Sequence, residues 1–359
     1  MTHTTGGTGG TEQTRTDAAV DAVCDNSKDA LDAMSEGEGA AFLAFPSTMQ
    51  LLRQELAVRY RADTTGECCW GDLLYLPHFD DARLEGGVPW FCQCAMMRPV
   101  WLSVASITDA ARKLKSVQCS WAHYATEGLW RRAALIQSKL PHVSLKPHTF
   151  PYTPPRSPIG LYCLLDTDRI LCSPRTTSPF PVGRLEFAEN HTDPPSRAYL
   201  KLQEALTLMS YLYGSPLPAV GTKCFEAGAA PGGWTWVLAT LGAEVLAVDK
   251  APLSPRVASL PCVRYLSHDA FTLPASEVAG YEWVLSDAAC YPDRLLAWIK
   301  AVLEAGSKAA MVCTIKLTLA RDKPLDWALL AEFEGLGGGR VVRLCYNKHE
   351  LTFLRPPRP

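Results

Sequence analysis

Four charged residues in the second half of the chain could act together on one substrate: Lys201, Asp287, Lys316 and Glu350. Asp287 and Lys316 each follow a predicted strand, and ligands bind outside the carboxyl ends of strands in open α/β sheets. A lysine that has lost its proton can take one from a hydroxyl group. Burial and a neighbouring cation lower the lysine pKa for this role, whereas nearby carboxylates raise it. Two unrelated surface ion pairs are the competing interpretation of the same residues.

A glycine-rich turn follows the first strand predicted in this half, in the sequence CFEAGAAPGGWTW. Its glycines, Gly228, Gly232 and Gly233, allow the backbone to approach a ligand closely. Asp249 lies 21 residues after Gly228, at the end of the next predicted strand. An acid at this spacing is placed to bind the ribose hydroxyls of an adenosine-type ligand. The alternative is that Asp249, like Asp269 after the third strand, only caps a loop.

The ligand of this turn could be a dinucleotide or S-adenosylmethionine. Pro231 stands where a pyrophosphate would want a backbone N–H donor, so a cofactor without phosphates fits better. Asp269 could accept a hydrogen bond from an adenine amino group, and Asp287 lies beside the same crevice. A positively charged sulfonium favours such acidic surroundings. We therefore expect S-adenosylmethionine, with a nicotinamide cofactor as the alternative.

The order of predicted elements after residue 196 favours an α/β sheet that positions these residues. A helix capped by Ser196 is expected to run to about residue 211, and Gly214 to end it. The predicted strands cover residues 223–225, 244–248, 263–266, 282–286 and 309–315, and the later helices cover about 293–304 and 324–333. Residues 340–356 predict two antiparallel strands joined by a short turn. Parallel strand–helix units closed by an antiparallel pair are typical of a doubly wound, Rossmann-like sheet.

The first 177 residues predict two regions of different character. Residues 1–40 carry eight acidic and two basic residues and bury too little apolar surface to offset their ordering entropy, so we expect disorder. Residues 41–177 alternate predicted strands with helices, one of them capped by Ser47, and end in a proline-rich linker. We expect a small α+β domain here, followed by the main domain at residues 178–359.

A basic window at residues 98–146 holds eight Lys and Arg residues against two acids. Four aromatic residues are interleaved with these charges: Trp101, Trp121, Tyr124 and Trp130. Aromatic and basic groups together suit single-stranded RNA, where bases stack and phosphates pair with cations. The alternative is a solvated basic face over a core that contains the tryptophans.

The composition sets broad limits on function. With 47% hydrophobic and 20% charged residues and a net charge of −2, the 359-residue chain is typical of a soluble globular protein. No apolar run is long enough for a membrane span. Thirteen cysteines without framework spacing indicate reduced thiols in a cytoplasmic protein, with a divergent mitochondrial presequence as the alternative. Cys68, Cys69, Cys92 and Cys94 do not have the usual zinc spacing, so we predict four buried free thiols and no metal.

Linked motifs in residues 178–354 carry a family resemblance. They are SPFPVGRLEF, PPSRAYLKLQEAL, EAGAAPGGWTW, AVDK, SHDAF, LSDAA, TIKLT and HELTF, in this order. The sequence resembles the FtsJ-type RNA 2′-O-ribose methyltransferases, and within them the bacterial enzymes that modify a cytidine ribose of large-subunit rRNA. The resemblance implies a Rossmann-like methyltransferase domain that uses S-adenosylmethionine.

The resemblance also implies roles for individual residues. Lys316 matches the family's general base, which takes the proton of the 2′-hydroxyl. Lys201 and Glu350 match residues that orient substrate and base, and Asp287 matches one that positions the lysine and borders the cofactor. The implied cofactor contacts are Ser196, Glu226, Gly228, Ala230, Pro231, Gly232, Gly233, Trp234, Asp249, Asp269 and Asp287. Glu226 departs from the pattern, because the family usually has aspartate there.

The implied activity is methylation of a ribose 2′-hydroxyl in large-subunit rRNA, with RNA and not DNA or a membrane as the partner. The bacterial large-subunit rRNA enzymes within this family have an N-terminal part that includes a THUMP domain. Residues 41–177 are shorter than that part and could be a reduced version of it. An inactive RNA-binding or ribosome-assembly factor that keeps the fold is the alternative. The four charged residues argue against it, because a scaffold has no need of two lysines at the mouth of the sheet.

Overall fold

The computed structural model describes residues 37–317 and 324–358. The disorder predicted for residues 1–40 therefore lies outside the described residues except at its last four positions. In the described part of the chain, no helix combines the length and apolar character that a membrane crossing requires.

Two four-stranded sheets make up the region before residue 178. The elements are β1 (Ala40–Ala44), α1 (Met49–Tyr60), β2 (Cys68–Trp70), β3 (Leu73–Leu76), β4 (Cys92–Met97), β5 (Val100–Ser103), α2 (Ile107–Val117), β6 (Trp121–Ala125), α3 (Trp130–Gln137), β7 (Gly160–Leu164) and β8 (Arg169–Ser173). The first sheet has the order β2-β3-β1-β4, and the second has the order β5-β8-β7-β6. The predicted α+β character is confirmed, and the hairpin β7–β8 is antiparallel.

A seven-stranded sheet forms the second half. Its elements are α4 (Tyr199–Tyr213), β9 (Lys223–Ala227), α5 (Gly233–Thr240), β10 (Glu244–Asp249), α6 (Pro255–Ala258), β11 (Val263–Ser267), α7 (Ala275–Val278), β12 (Trp283–Ser286), α8 (Pro292–Glu304), β13 (Ala310–Lys316), α9 (Trp327–Ala331), β14 (Arg340–Val342) and β15 (Glu350–Arg355). Short 3₁₀ segments occur at Asp81–Gly86, Pro181–Gly183, Ala270–Thr272 and Leu336–Gly338.

The strand order is β11-β10-β9-β12-β13-β15-β14. The first five strands are parallel, and β15 runs antiparallel to both of its neighbours. This confirms the predicted Rossmann-like sheet with an antiparallel end. The order reverses between β9 and β12, and crevices at such switch points, outside the carboxyl ends of the strands, are where α/β sheets bind ligands.

Side chains along β13 alternate between the two faces of the sheet, and this alternation determines which helix Lys316 faces. Met311 and Ile315 pack on the face that α8 covers, whereas Val312 packs on the face that α4 and α5 cover. Successive side chains of a strand point to opposite faces, so Lys316 falls on the same face as Val312. The sheet therefore aims Lys316 toward α4, the helix that carries Lys201.

Two predicted helix caps are wrong. Ser47 has a left-handed φ of 62°, and α1 begins after Thr48, whose hydroxyl donates to the carbonyl groups of Phe45 and Phe91 instead of capping the helix. Ser196 lies before Ala198, the residue that precedes α4, and does not cap that helix. Gly214 ends α4 in a left-handed conformation as predicted.

The first sheet packs directly against the second half of the chain. The ring of Trp90 stacks on that of Trp327 at a centroid distance of 6.2 Å, and its Nε1 donates to Glu334 at 2.6 Å. Arg59 on α1 also pairs with Glu334. Phe42 and Phe91 of the first sheet belong to the same buried apolar cluster as residues of α8 and β13. The two regions thus share a core.

Candidate active site

The structure brings together the four charged residues singled out in the sequence. Lys316 and Glu350 are directly paired across β13 and β15, so their side chains lie on one face of the sheet. The ammonium nitrogen of Lys316 lies 2.7 Å from Oδ1 of Asp287 and 2.8 Å from Oε2 of Glu350. Lys201 on α4 donates to both oxygens of Asp287, at 2.9 and 3.0 Å, and to Oε1 of Glu350 at 2.7 Å. Two cations and two carboxylates therefore alternate around one small site.

Burial and charge oppose each other in this cluster. Burial lowers the pKa of Lys316, but the hydrogen-bonded carboxylates of Asp287 and Glu350 more than offset this, and the net shift is upward. For Glu350, burial raises the pKa, and the two ammonium groups of Lys201 and Lys316 outweigh it and lower the pKa. The resting site therefore favours a protonated Lys316 and an ionised Glu350.

A loop at residues 343–349 leads into Glu350 and is held by buried side chains. Glu204 on α4 accepts hydrogen bonds from the backbone N–H groups of Cys345 at 2.8 Å and Tyr346 at 3.2 Å. Its own burial raises the pKa of Glu204 to about 7. Asn347 accepts from the N–H of Leu344 at 2.7 Å and places its amide 3.5 Å from Oε1 of Glu350. One helix thus supplies both Lys201 and the anchor of this loop.

The glycine-rich turn after β9 requires its glycines. Gly228 has a φ of 76°, and a Cβ there would lie 2.4 Å from Cα of Ala288. Gly232 has a φ of 109° and precedes α5. A Cβ on Gly233 would lie 2.5 Å from Oγ of Ser196. The Ser196 hydroxyl is buried and has no hydrogen-bond partner among the described residues. A close backbone turn beside an unsatisfied hydroxyl fits a bound polar ligand.

A cleft of about 230 Å³ lies at the carboxyl ends of β9, β10 and β12. Gly228, Asp249, Asp269, Ala288 and Arg294 are among the lining residues. The cleft therefore has the position of a cofactor site in this fold.

The two aspartates predicted to bind the cofactor are engaged with the protein itself. Asp249 accepts from the backbone N–H groups of Ala230 and Ala251, each at 2.9 Å. Asp269 pairs with Lys250 at 2.9 Å and Arg294 at 3.1 Å. The hydrogen bond from Lys250 is the main reason that the pKa of Asp269 falls to about 2. Both carboxylates border the cleft, and the loop-capping interpretation of Asp249 describes its present contacts.

Glu226 and Trp234 are buried behind the turn. Glu226 is 1% exposed and accepts a hydrogen bond from the Thr235 hydroxyl at 2.7 Å. Burial, aided by the charges of Asp287 and Asp249, raises the pKa of Glu226 to about 8. The Trp234 ring lies in the core and its Nε1 donates to the carbonyl of Ala198 at 2.9 Å. The side chain of Trp234 therefore supports the turn from behind, and its role as a cofactor contact stays a prediction.

Several residues of the site were missed in the sequence. Lys250 and Arg294 pair with Asp269, and Glu204 and Asn347 hold the loop before Glu350. Lys250 directly follows Asp249, so its place beside the predicted cofactor site could have been inferred from the sequence. Glu204 is one helical turn after Lys201 and so shares its face of α4. The other two contacts depend on loop paths that the strand pattern does not predict.

The basic window divides between core and surface. Trp121 is fully buried, and its Nε1 donates to the carbonyl groups of Leu114 and Gln118, so for this residue the alternative of a core position is the correct one. Trp130 is 60% exposed with the Arg131 guanidinium 5.0 Å from its ring, and Trp101 is 41% exposed with Arg169 at 5.1 Å. Two exposed tryptophans therefore stand beside arginines on the N-terminal region.

The cysteines considered for zinc are free thiols in two different environments. Cys92 and Cys94 are buried in β4, whereas Cys68 and Cys69 on β2 are exposed, contrary to the expectation that all four are buried. Among residues 37–317 and 324–358, no group of three or more His, Cys, Asp or Glu side chains has a metal-binding arrangement.

Comparison with known families agrees with the motifs. The profile of the FtsJ-like methyltransferase family matches residues 194–325. A curated relative from Halorhodospira halophila, named ribosomal RNA large subunit methyltransferase M, is 35% identical over 181 residues, which cover 50% of this chain and 51% of the relative. A protein of the same name from Xanthomonas oryzae pv. oryzae is 32% identical over 258 residues, or 69% of each chain. The predicted resemblance is confirmed, and the chain spans about half the length of the Halorhodospira protein.

Among solved structures, the fibrillarin pre-rRNA processing protein of Methanococcus jannaschii is similar at a TM-score of 0.33 and 16% identity, over 54% of this chain and 81% of that chain. A Burkholderia thailandensis N-methyltransferase solved with S-adenosylhomocysteine has a TM-score of 0.31 and 18% identity, over 46% of this chain and 80% of that chain.

Proposed function

Because this chain belongs to the ribosomal RNA large subunit methyltransferase M family, we propose that it methylates a ribose 2′-hydroxyl of large-subunit rRNA with S-adenosylmethionine as the cofactor. The observation that carries the proposal is the alternating cluster of Lys201, Asp287, Lys316 and Glu350 beside a cleft at the switch point of the sheet. The proposed target is a cytidine, and the proposed compartment is the cytoplasm, where ribosomes work.

The cleft fits S-adenosylmethionine on three observations. The glycines of the turn let its backbone pack closely against Ala288 and Ser196, and the Ser196 hydroxyl lacks a partner among the described residues. Asp249 and Asp269 supply anionic oxygens at the positions where, by the family pattern, the ribose and the adenine of the cofactor would bind. Their negative charge also suits a cationic cofactor. When bound, the cofactor supplies an electrophilic methyl group.

Lys316 is the proposed general base. To take the proton of a 2′-hydroxyl, its amine must first be neutral, and the carboxylates of Asp287 and Glu350 oppose this in the resting site. A second positive charge nearby disfavours the protonated amine. Lys201, hydrogen-bonded to the same carboxylate oxygen of Asp287, is a second ammonium group beside it. A cationic ligand in the cleft adds another, so occupancy of the cleft and activation of the base are linked.

The other three members of the cluster hold the base in place. Asp287 and Glu350 each accept from both lysines, which fixes the Lys316 side chain between them. Lys201 is almost entirely buried, whereas the Lys316 side chain is 28% exposed. The more accessible of the two lysines is the one assigned to meet the substrate.

RNA contact is proposed for the N-terminal region. Exposed Trp130 and Trp101 offer faces on which bases can stack, and Arg131 and Arg169 beside them can pair with phosphates. Stacking on aromatic side chains and arginine is the common way to bind unpaired bases. The same rings also pack against protein neighbours, since Trp101 contacts Trp70 and Tyr75 edge-on.

Transfer of a labelled methyl group to unmodified large-subunit rRNA tests the proposal. The expected product is one ribose-methylated nucleotide, recognised because the modified ribose resists alkaline cleavage of the next phosphodiester bond. Label on a base, or on no nucleotide, would contradict the proposed reaction. Tight RNA binding without transfer would instead favour an inactive scaffold. Calorimetry that finds a nicotinamide dinucleotide bound and S-adenosylmethionine unbound would overturn the cofactor assignment.

A further inference from the structure

Arg343, the first residue after β14, joins two distant parts of the molecule. Its Nη2 donates to the carbonyl of Lys348 at 2.6 Å, and its Nη1 donates to the carbonyl of Glu350 at 3.4 Å. The guanidinium carbon also lies 5.4 Å from the ring centre of Phe45 and 5.7 Å from that of Phe91. Cations at such distances from an aromatic face are attracted to it.

The two rings flank strands of the first sheet. Phe45 directly follows β1, and Phe91 directly precedes β4. Both are buried, at 7% and 0% exposure, so their positions are set by the packing of that sheet. One arginine therefore touches the N-terminal sheet with its planar face and the backbone around Glu350 with its N–H groups.

Glu350 depends on such supports because the loop before it has no regular structure of its own. Glu204 and Asn347 hold the middle of the loop, and both belong to the second half of the chain. Of the three side chains that hold it, Arg343 is the one that also contacts the N-terminal region. A shift of the first sheet would therefore reach Glu350 through this residue.

We propose that Arg343 is a positioning residue that couples the N-terminal sheet to Glu350 and, through it, to Lys201 and Lys316. The inference rests on the proposed function, since Glu350 matters for turnover only if the cluster is catalytic. Misplacement of a catalytic group by about 1 Å can cost on the order of a hundredfold in rate, so a single support can control turnover. Binding of RNA to the N-terminal region can thereby act on the distant site.

A purely structural role is separable from this coupling. Arg343 borders a cavity of about 160 Å³ between the N-terminal sheet and α4, together with Phe45, Trp90, Glu204 and Cys345. Truncation of its side chain would enlarge an existing space and would not open a new one in a close-packed core. The exposed Arg340 on β14 borders the same cavity three residues earlier, and it provides a matched control with the same loss of charge.

Hydrogen exchange of the full chain tests the coupling without relying on activity. We expect Arg343→Ala to raise amide exchange in residues 347–351 by roughly tenfold or more, Phe45→Leu to raise it in the same segment by less, and Arg340→Ala to leave it unchanged. If Arg343→Ala fails to fold, Arg343→Lys and Phe45→Leu make the same comparison. If amide exchange of residues 347–351 in Arg343→Ala matches that in Arg340→Ala, the proposal is overturned.

Turnover completes the test. We expect Arg343→Ala to lower kcat for rRNA methylation by roughly 10- to 100-fold. Cofactor affinity and KM for RNA should stay within twofold, and Arg343→Lys should restore part of the rate. Because Glu350 raises the pKa of Lys316, its displacement should also shift the rising limb of kcat to lower pH. If Arg343→Ala raises amide exchange but keeps the wild-type kcat, the positioning role is overturned. If the wild-type protein does not methylate ribose, the proposed function is refuted, and the exchange experiment alone tests the coupling.

Discussion

Lys201 and Lys316 share a single carboxylate oxygen. Oδ1 of Asp287 lies 2.9 Å from the ammonium nitrogen of Lys201 and 2.7 Å from that of Lys316. Two positive groups held by one oxygen repel each other, and this repulsion favours loss of a proton from the more exposed amine. The arrangement gives Lys316 a route to the neutral form, although its two carboxylate partners favour the protonated form in the resting site.

Substitution of Lys316 should separate chemistry from cofactor binding. We expect Lys316→Met to lower methyl transfer by about 10²–10⁴-fold, the range typical for loss of a general base, with cofactor affinity within a few-fold of wild type. Lys316→Arg keeps the positive charge but cannot act as a base at neutral pH, so it should be equally inactive. Initial rates with labelled cofactor and calorimetric titration measure the two quantities. Turnover near wild type in either variant would remove the assignment of the base.

Glu226 should make cofactor binding depend on pH. Its folded pKa is about 8 against an ordinary value of 4.5, so at pH 7 the buried side chain carries a proton. A cationic cofactor favours the carboxylate, and its binding should release that proton and tighten as pH rises toward 8. Calorimetry at pH 7 in two buffers of different ionisation heat counts the protons. Glu226→Gln should release fewer protons on cofactor binding than the wild type does. Equal proton release by the two proteins would contradict the prediction.

The same group also affects stability, with a defined sign. Between about pH 4.5 and 8 the folded chain holds a proton on Glu226 that the unfolded chain has released. The contribution of this group to the free energy of unfolding therefore decreases as pH rises through that window. Thermal melts across this range should show a smaller loss of stability in Glu226→Gln than in the wild type. An equal loss in the two proteins would mean that the folded carboxyl is ionised across this range.

Substitution of Asp249, the last residue of β10, tests whether this carboxylate binds the cofactor or only holds the loop. We expect Asp249→Ala to weaken S-adenosylmethionine binding by roughly 1–3 kcal/mol, because a partly buried, hydrogen-bonded charge is lost. The variant also loses the contacts to the N–H groups of Ala230 and Ala251, so a lower melting temperature without cofactor is expected. Asp249→Asn is the matched control, since its amide oxygen can still accept one of these bonds. Unchanged affinity in both variants would show a loop cap alone.

The exposed face around Trp130 should contribute to RNA affinity in two ways. Trp130→Ala should cost about 1–3 kcal/mol for each stacked base, with little change in salt dependence. Charge reversal of Arg131 and Lys139 should weaken binding and reduce the slope of log K against log salt by about 0.7 for each lost phosphate contact. Reversal of Lys300 on α8, in the other half of the chain, is the control for net charge. If only the Lys300 variant loses affinity, the RNA surface lies elsewhere.

Much of the second half could be predicted from the sequence because its signals are local. Strand periodicity, the glycine-rich turn and the 21-residue spacing from Gly228 to Asp249 depend on residues close to one another. The placement of Lys316 and Glu350 at one edge follows from strand direction alone. Helix caps were less reliable, as Ser47 and Ser196 show, because a serine near a helix start can serve packing or a ligand instead.

By itself, the sequence determined the fold class, the family and the four charged residues of the site. Only the tertiary structure decided that Arg343 connects Phe45 to the backbone of Glu350, that Trp121 is core while Trp130 is surface, and that Asp249 and Asp269 already have protein partners. The physical reason is that strand order and direction follow from local patterns. Contacts between segments hundreds of residues apart depend on how whole sheets and loops pack, and that packing is a property of the complete chain.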